Sequence, residues 1–126
     1  MSMQESGEMY LETIYILSQK SSAVRSVDVG AYMGYSKPSV SRAIGLLKKD
    51  GLVQTDELGF LKLTAEGAAR AKVIYERHTV LTKLFVGLGV DEKTAAGDAC
   101  RIEHYISKKT FDAIKAHMEQ YADAEG

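Results

Sequence analysis

Cys100, Glu103 and His104 place a thiol, a carboxylate and an imidazole within the short segment Asp98-Ala99-Cys100-Arg101-Ile102-Glu103-His104-Tyr105. Residues three and four apart are neighbours on a helix, so a helical reading sets all three on one face. Side chains of these kinds together hold a borderline divalent transition metal. Three donors from one helix do not close a coordination shell, and further ligands are expected from other elements. The candidates are few: Met9 and Glu12, which share one face of the first predicted helix, and His78, midway along a long one. Each has a plainer reading. Methionine is more often core filler than a thioether ligand, glutamate is more often a solvated charge, and His78 alone fits a hydrogen-bonded buried histidine. His117, near the chain end with no partner in its helix, reads as surface.

A second group of residues suits nucleic acid. In Ser36-Lys37-Pro38-Ser39-Val40-Ser41-Arg42, the hydroxyls of Ser36, Ser39 and Ser41 and the Lys37 ammonium can bond phosphates. Arg42 can take guanine edges or phosphates, and the Pro38 ring can touch thymine methyls. Arg25 and Lys62 are secondary candidates for phosphate contact. The formal net charge of −1 hides how charge is distributed. Between Lys20 and Lys49 the basic residues Lys20, Arg25, Lys37, Arg42, Lys48 and Lys49 are opposed by Asp28 alone, while acid gathers at Glu5, Glu8 and Glu12 and again after Gly89. An electropositive face on an otherwise acidic chain is the footprint of a nucleic-acid binder. The bland alternative is a capped surface helix with solvated charges. It is outweighed because the cap, a following hairpin and the positive stretch agree.

The elements that position these residues follow from periodicity and punctuation. Met9, Leu11, Ile14, Tyr15, Ile16 and Leu17 predict a helix over 4–19, and a short second helix is expected over 26–33. Gly34-Tyr35 reads as a tight turn, Ser36 as an N-cap and Pro38 as a first-turn residue. Val40, Ala43, Ile44 and Leu47 then carry a helical stripe to Asp50-Gly51. Helix, turn, helix is the arrangement whose second member enters the DNA major groove. Two strands over 52–55 and 60–63, joined through Gly59, make it a winged helix. Thr64 opens a long helix ending near Gly87-Leu88-Gly89, and Asp91 caps a further one expected to run to Ile106. Ser107 caps the last, with a frayed tail expected from Ala122. The 126 residues suffice for one core or two small subdomains. The single cysteine excludes an intramolecular disulfide. The polar, acidic start is unlike a signal peptide, and no apolar run nears the roughly 20 residues of a membrane span. The expected setting is cytoplasmic and reducing, with no membrane partner and the thiol available as a ligand.

Glu8-Met9-Tyr10-Leu11-Glu12-Thr13-Ile14-Tyr15, Ser36-Lys37-Pro38-Ser39-Val40-Ser41, Asp50-Gly51-Leu52-Val53, Leu63-Thr64-Ala65-Glu66-Gly67, Arg77-His78 and Cys100-Arg101-Ile102-Glu103-His104 together resemble the diphtheria toxin repressor family, which includes the manganese transport regulators. The resemblance covers nearly the whole chain in order. It implies a mainly α, homodimeric, metal-activated repressor of metal-uptake genes that binds a palindromic operator in double-stranded DNA. A winged-helix DNA-binding domain is expected over 1–66, and a helical metal-binding and dimerisation domain over 67–126. In the toxin-repressor branch, which answers to Fe2+, the regulatory site is methionine, cysteine, glutamate and histidine, and Met9, Cys100, Glu103 and His104 fall on those positions. The manganese branch has carboxylates at the first two. Soft sulfur favours iron over the harder Mn2+, so Fe2+ is the expected metal, with Mn2+ the alternative. Glu12 and His78 match the second site of the manganese branch and imply a weaker second position. The toxin-repressor ancillary site is expected to be broken, because its glutamate and second histidine fall on Thr82 and Ala96. Longer members carry an SH3-like domain, so the likeness is to a short form. A metal drawing ligands from both domains is expected to set the spacing of the recognition helices. Dimer contacts are expected among Val80, Leu84, Phe85, Ile102, Ile106, Phe111 and Ile114. Two readings from other classes stand beside this one: a small enzyme with Cys100 as nucleophile activated by His104, and a winged-helix regulator indifferent to metals.

Overall fold

The computed structural model describes residues 3–125, with side chains from 6 to 120. Its elements run α1 (Met3–Lys20), α2 (Ser26–Met33), α3 (Lys37–Lys49), β1 (Val53–Thr55), β2 (Leu61–Leu63), α4 (Ala65–Gly87), α5 (Glu92–Ile102) and α6 (Lys108–Glu125). The chain is mainly α, and it divides into two compact units, Met1–Val73 and Ile74–Gly126. The division falls inside α4, later than the expected end at residue 66, because Ala71 belongs to the core of the first unit.

In the first unit, apolar residues at helical spacing close one core. Tyr10, Leu11 and Ile14 of α1, Val29 of α2, and Val40, Ile44 and Leu47 of α3 pack with Leu52, Val53 and Leu61. Burial pushes the Tyr10 phenol up from its ordinary pKa, and the neighbouring Tyr35 adds to the rise. The α2–α3 turn depends on Gly34, which ends α2 with φ 73 in the left-handed region and donates its N–H to Gly30 O at 2.8 Å. Ser36 then caps α3, its hydroxyl accepting from Ser39 N at 3.4 Å, with Pro38 in the first turn. β1 and β2 are antiparallel, Gln54 opposite Lys62. Both strands begin one residue later than expected, because Leu52 N–H turns back to Leu47 O and Phe60 N–H turns aside to the Asp56 carboxylate. Leu61 N–H donates to Val24 O at 2.8 Å, tying the wing to the loop before α2.

The start of α4 explains Leu63-Thr64-Ala65-Glu66-Gly67. Thr64 Oγ1 accepts from Gly67 N at 3.1 Å and donates to Gly51 O at 2.7 Å, while Thr64 N–H donates to Leu52 O. A β-carbon on Gly67 would lie 1.9 Å from Leu52 O, so only glycine lets this helix sit on that backbone.

In the second unit, Ile74, Leu81, Ala95, Ala99 and Phe111 are buried. Asp91 caps α5 by accepting from Thr94 N at 3.0 Å, and Ser107 accepts from Thr110 N at the start of α6. Lys115 on α6 donates to Glu76 on α4 at 3.1 Å, a contact that raises the lysine pKa. Two expectations change here. α5 ends at Ile102 rather than Ile106, and helix continues to Glu125 past the point where fraying was expected. Among the described residues, no helix is long and apolar enough to cross a membrane.

Candidate metal centre and nucleic-acid interface

The early end of α5 alters the geometry read from spacing. Cys100 lies in the last helical turn, partly exposed. Glu103 is the C-cap, its N–H donating to Ala99 O, and His104 follows in a tight turn. The expectation that Cys100, Glu103 and His104 share one helix face is therefore corrected, since His104 has left the helix. What carries the cluster instead is the carboxylate of Glu103, which is 0% exposed. His78 Nδ1, from α4, lies 2.9 Å from its Oε2, and His104 Nε2 lies 3.4 Å from its Oε1. Helix α4 thus supplies one imidazole and the turn after α5 the other.

A fully buried carboxylate is costly unless its oxygens are satisfied. Glu103 Oε1 has no hydrogen-bond partner among the described residues. An oxygen in that condition, beside two imidazole nitrogens, is a donor set that fits a divalent cation. The turn is held from behind by Arg77, whose Nη1 donates to Glu103 O at 3.2 Å and to Ile106 O at 2.9 Å. Its guanidinium sits over the Phe111 ring, 5.6 Å from the centroid. Sequence reasoning noticed Arg77 only as the neighbour of His78. Met9 and Glu12 are partly buried on α1 in the first unit, and Thr13 Oγ1 donates to Met9 O. Thr82 Oγ1 donates to the His78 carbonyl at 2.7 Å, an intrahelical bond that occupies this side chain.

On α3, Val40, Ile44 and Leu47 turn inward. Lys37, Pro38, Ser39, Ser41 and Arg42 are all exposed on the remaining surface, as is Ser36. The Ser36 hydroxyl is already engaged, accepting from Ser39 N and donating to Ser39 Oγ at 3.0 Å. Its first task is therefore the cap. Arg25 is exposed at the start of α2, its backbone N–H donating to Asp28 at 2.9 Å and its guanidinium 5.1 Å from the Phe60 ring of the wing. Lys62 differs from expectation: it is partly buried and its ammonium donates to Ser22 O at 2.6 Å, so it straps the wing to the α1–α2 loop.

Comparison with known proteins agrees with both halves. The profile described as iron dependent repressor, N-terminal DNA binding domain, matches residues 2–58, and that described as iron dependent repressor, metal binding and dimerisation domain, matches 64–124. An uncharacterized HTH-type transcriptional regulator of Methanocaldococcus jannaschii is 30% identical over 96% of this chain and 98% of its own length. The diphtheria toxin repressor of Corynebacterium efficiens is 31% identical over 94% of this chain, which spans 50% of that protein. A solved manganese-dependent transcriptional repressor in complex with manganese superposes with a TM-score of 0.83 at 25% identity, covering 90% of this chain and 52% of its own. With a full-length match at this identity and both profiles in the expected order, the chain belongs to the iron-dependent repressor family of metal-dependent transcriptional repressors, and the reading of Cys100 as an enzyme nucleophile is set aside.

Proposed function

We propose that the protein is a homodimeric repressor that binds a palindromic operator when loaded with ferrous iron and controls metal-uptake genes. The observation that carries this reading is the buried Glu103 carboxylate between the His78 and His104 imidazoles. The Glu103 carboxylate and the His104 imidazole suit Fe2+ and Mn2+ alike, and sulfur from Cys100 and Met9 would shift preference towards Fe2+ and away from harder ions. Cys100, Glu103, His104 and Met9 are the primary ligands in this proposal, with Glu12 and His78 forming a second position. A bound ion would supply positive charge that satisfies the buried carboxylate and orders the ligands around it. The chain's own residues do the rest. The α3 surface from Lys37 to Arg42 meets the major groove, with Arg42 as the candidate for base edges and Lys37 and Arg25 for phosphates. Two such helices related by a dimer axis meet half-sites a whole number of helical turns apart.

Manganese is the second reading. It is favoured by the similarity to a repressor solved with manganese and by the oxygen and nitrogen character of Glu12, His78 and Glu103. Anaerobic binding of the purified protein to promoter DNA, titrated separately with Fe2+ and Mn2+, decides between them. Activation by iron at clearly lower concentration supports the first. Equal or better activation by manganese supports the second. Metal-stimulated DNA binding that survives Cys100→Ala combined with His104→Ala would sink the ligand set.

A further inference from the structure

We propose that Arg77 is a positioning residue for the metal centre, fixing the 103–106 turn so that Glu103 and His104 are presented as ligands. This rests on the metal reading above and deepens it.

A helix C-terminus leaves carbonyl groups without intrahelical partners; here Tyr105 and Ile106 N–H both donate to Ile102 O, while the carbonyls of Glu103 and Ile106 are met from outside the turn. Here one nitrogen, Arg77 Nη1, reaches both Glu103 O and Ile106 O, the two ends of the turn that contains His104. The guanidinium is itself fixed by its seat over Phe111, a ring only 4% exposed. Arg77 Nε is buried with no hydrogen-bond partner among the described residues. An arginine bonded in two places to a carboxylate is among the strongest polar pairs available. This one is instead committed to main-chain oxygens, and its Nε goes without a bond. The consequence is that the Glu103 carboxylate stays available to His78, His104 and a cation.

The adjacent residue completes the arrangement. Consecutive side chains on a helix point about 100° apart, so Arg77 and His78 approach Glu103 from different directions. Arg77 takes its backbone carbonyl and His78 its carboxylate. One turn of α4 therefore sets both where Glu103 is and how its side chain is aimed. Partners that orient a ligand in this way influence metal affinity without touching the ion.

The test uses the full chain with Arg77→Lys, which keeps the charge but loses the planar group seated on Phe111, and Arg77→Met, which keeps an apolar stem. Ala95→Gly, in the buried face of α5 and away from the turn, serves as a variant that lowers stability for an unrelated reason. Three quantities are read: dissociation constants for Fe2+ and Mn2+ measured anaerobically, amide hydrogen exchange at residues 104–106 in the metal-free protein, and melting temperature. Both Arg77 variants are expected to weaken metal binding about 10- to 100-fold and to speed exchange in the turn, whereas Ala95→Gly lowers the melting temperature and does neither. Arg77 variants that melt lower but keep wild-type metal affinity and wild-type exchange at 104–106 overturn the proposal. If Glu103→Gln abolishes metal binding in the same assay, the ligand reading survives that failure. If Glu103→Gln binds metal as wild type does, both fall together.

Discussion

Glu103 carries opposing demands. Its carboxylate is fully buried, which destabilises the metal-free fold, and its two flanking imidazoles offset that cost without hydrogen-bonding both oxygens. Glu103→Gln keeps the shape and removes the charge. The metal-free variant is expected to melt no lower than wild type, because exchanging a buried charge for a neutral group relieves desolvation. Its metal affinity is expected to fall by at least about 100-fold, since the loss of a ligand exceeds that of an orienting partner. Calorimetric melting together with anaerobic metal titration checks both signs, and a variant that melts lower yet still binds metal would contradict them. Lys62 gives a second test. With its ammonium on Ser22 O, Lys62→Met is expected to lower stability by about 1 kcal/mol and to leave the salt dependence of DNA binding unchanged. Lys37→Ala is expected to reduce the slope of log affinity against log salt by about one unit. The candidate ligands stood out because thiol, carboxylate and imidazole types rarely crowd together, and two of them, Glu103 and His104, lie beside His78 in the structure. Their arrangement was not legible, because periodicity carried the helix on to Ile106 and nothing in the spacing marks Glu103 as a C-cap. Arg77 left no signal in composition or spacing, since its partners are backbone carbonyls 26 and 29 residues away.

The elements were more readable than their joints. Ser36, Thr64, Asp91 and Ser107 all act as caps, because short polar side chains before an apolar run bond the first free N–H groups of a helix wherever it lies. Close backbone approach leaves no such mark: Gly67 reads as an ordinary helix-start glycine until Leu52 O is found against it. Gly67→Ala is expected to cost about 3 kcal/mol or more, because backbone rather than a flexible side chain must move, and urea titration checks it. A cost below that of an exposed glycine-to-alanine change would mean that α4 can slide on Leu52. Asp91 adds a pH dependence. Its carboxyl lies below the ordinary value of 3.8, first because of the bond from Thr94 N–H and then because of the bond from the Thr94 side chain. A folded pKa below the unfolded one contributes stability that is present above the unfolded value and is lost as pH falls through the folded value. Wild type is therefore expected to be more stable than Asp91→Ala near neutrality, with the gap narrowing once pH drops below about 3.8. Thermal melts at pH 7 and pH 3 measure it, and a gap independent of pH would refute this account of the cap.

At the scale of the whole molecule, the proposed homodimer on a palindromic operator needs a surface on which two copies meet. Exposure sorts the apolar residues of the second unit. Phe111 is buried beneath Arg77 and belongs to the fold rather than to an interface, whereas Ile102 is 38% exposed and Val80, Leu84, Phe85, Ile106 and Ile114 are intermediate. Val86 and Leu88, at the end of α4 and just beyond it, are more exposed still, at 43% and 73%. Exposed apolar side chains are costly to leave in water, and where neighbours such as Val86 and Leu88 are both exposed they are candidates for a surface that a partner covers. Charges at Val86 and Leu88 leave the internal packing untouched, because both side chains already point outward. Val86→Asp with Leu88→Asp is therefore expected to keep the helical spectrum, to sediment as a monomer, and to bind a single half-site about as well as wild type does. Binding to the full palindrome is expected to fall by at least about 100-fold, the advantage that linking two sites confers when the second contact becomes intramolecular. Sedimentation velocity and DNA titrations against half and full sites separate the possibilities. A variant that remains dimeric would move the interface away from the end of α4, and a monomer that still binds the full palindrome tightly would remove the dimer from the mechanism.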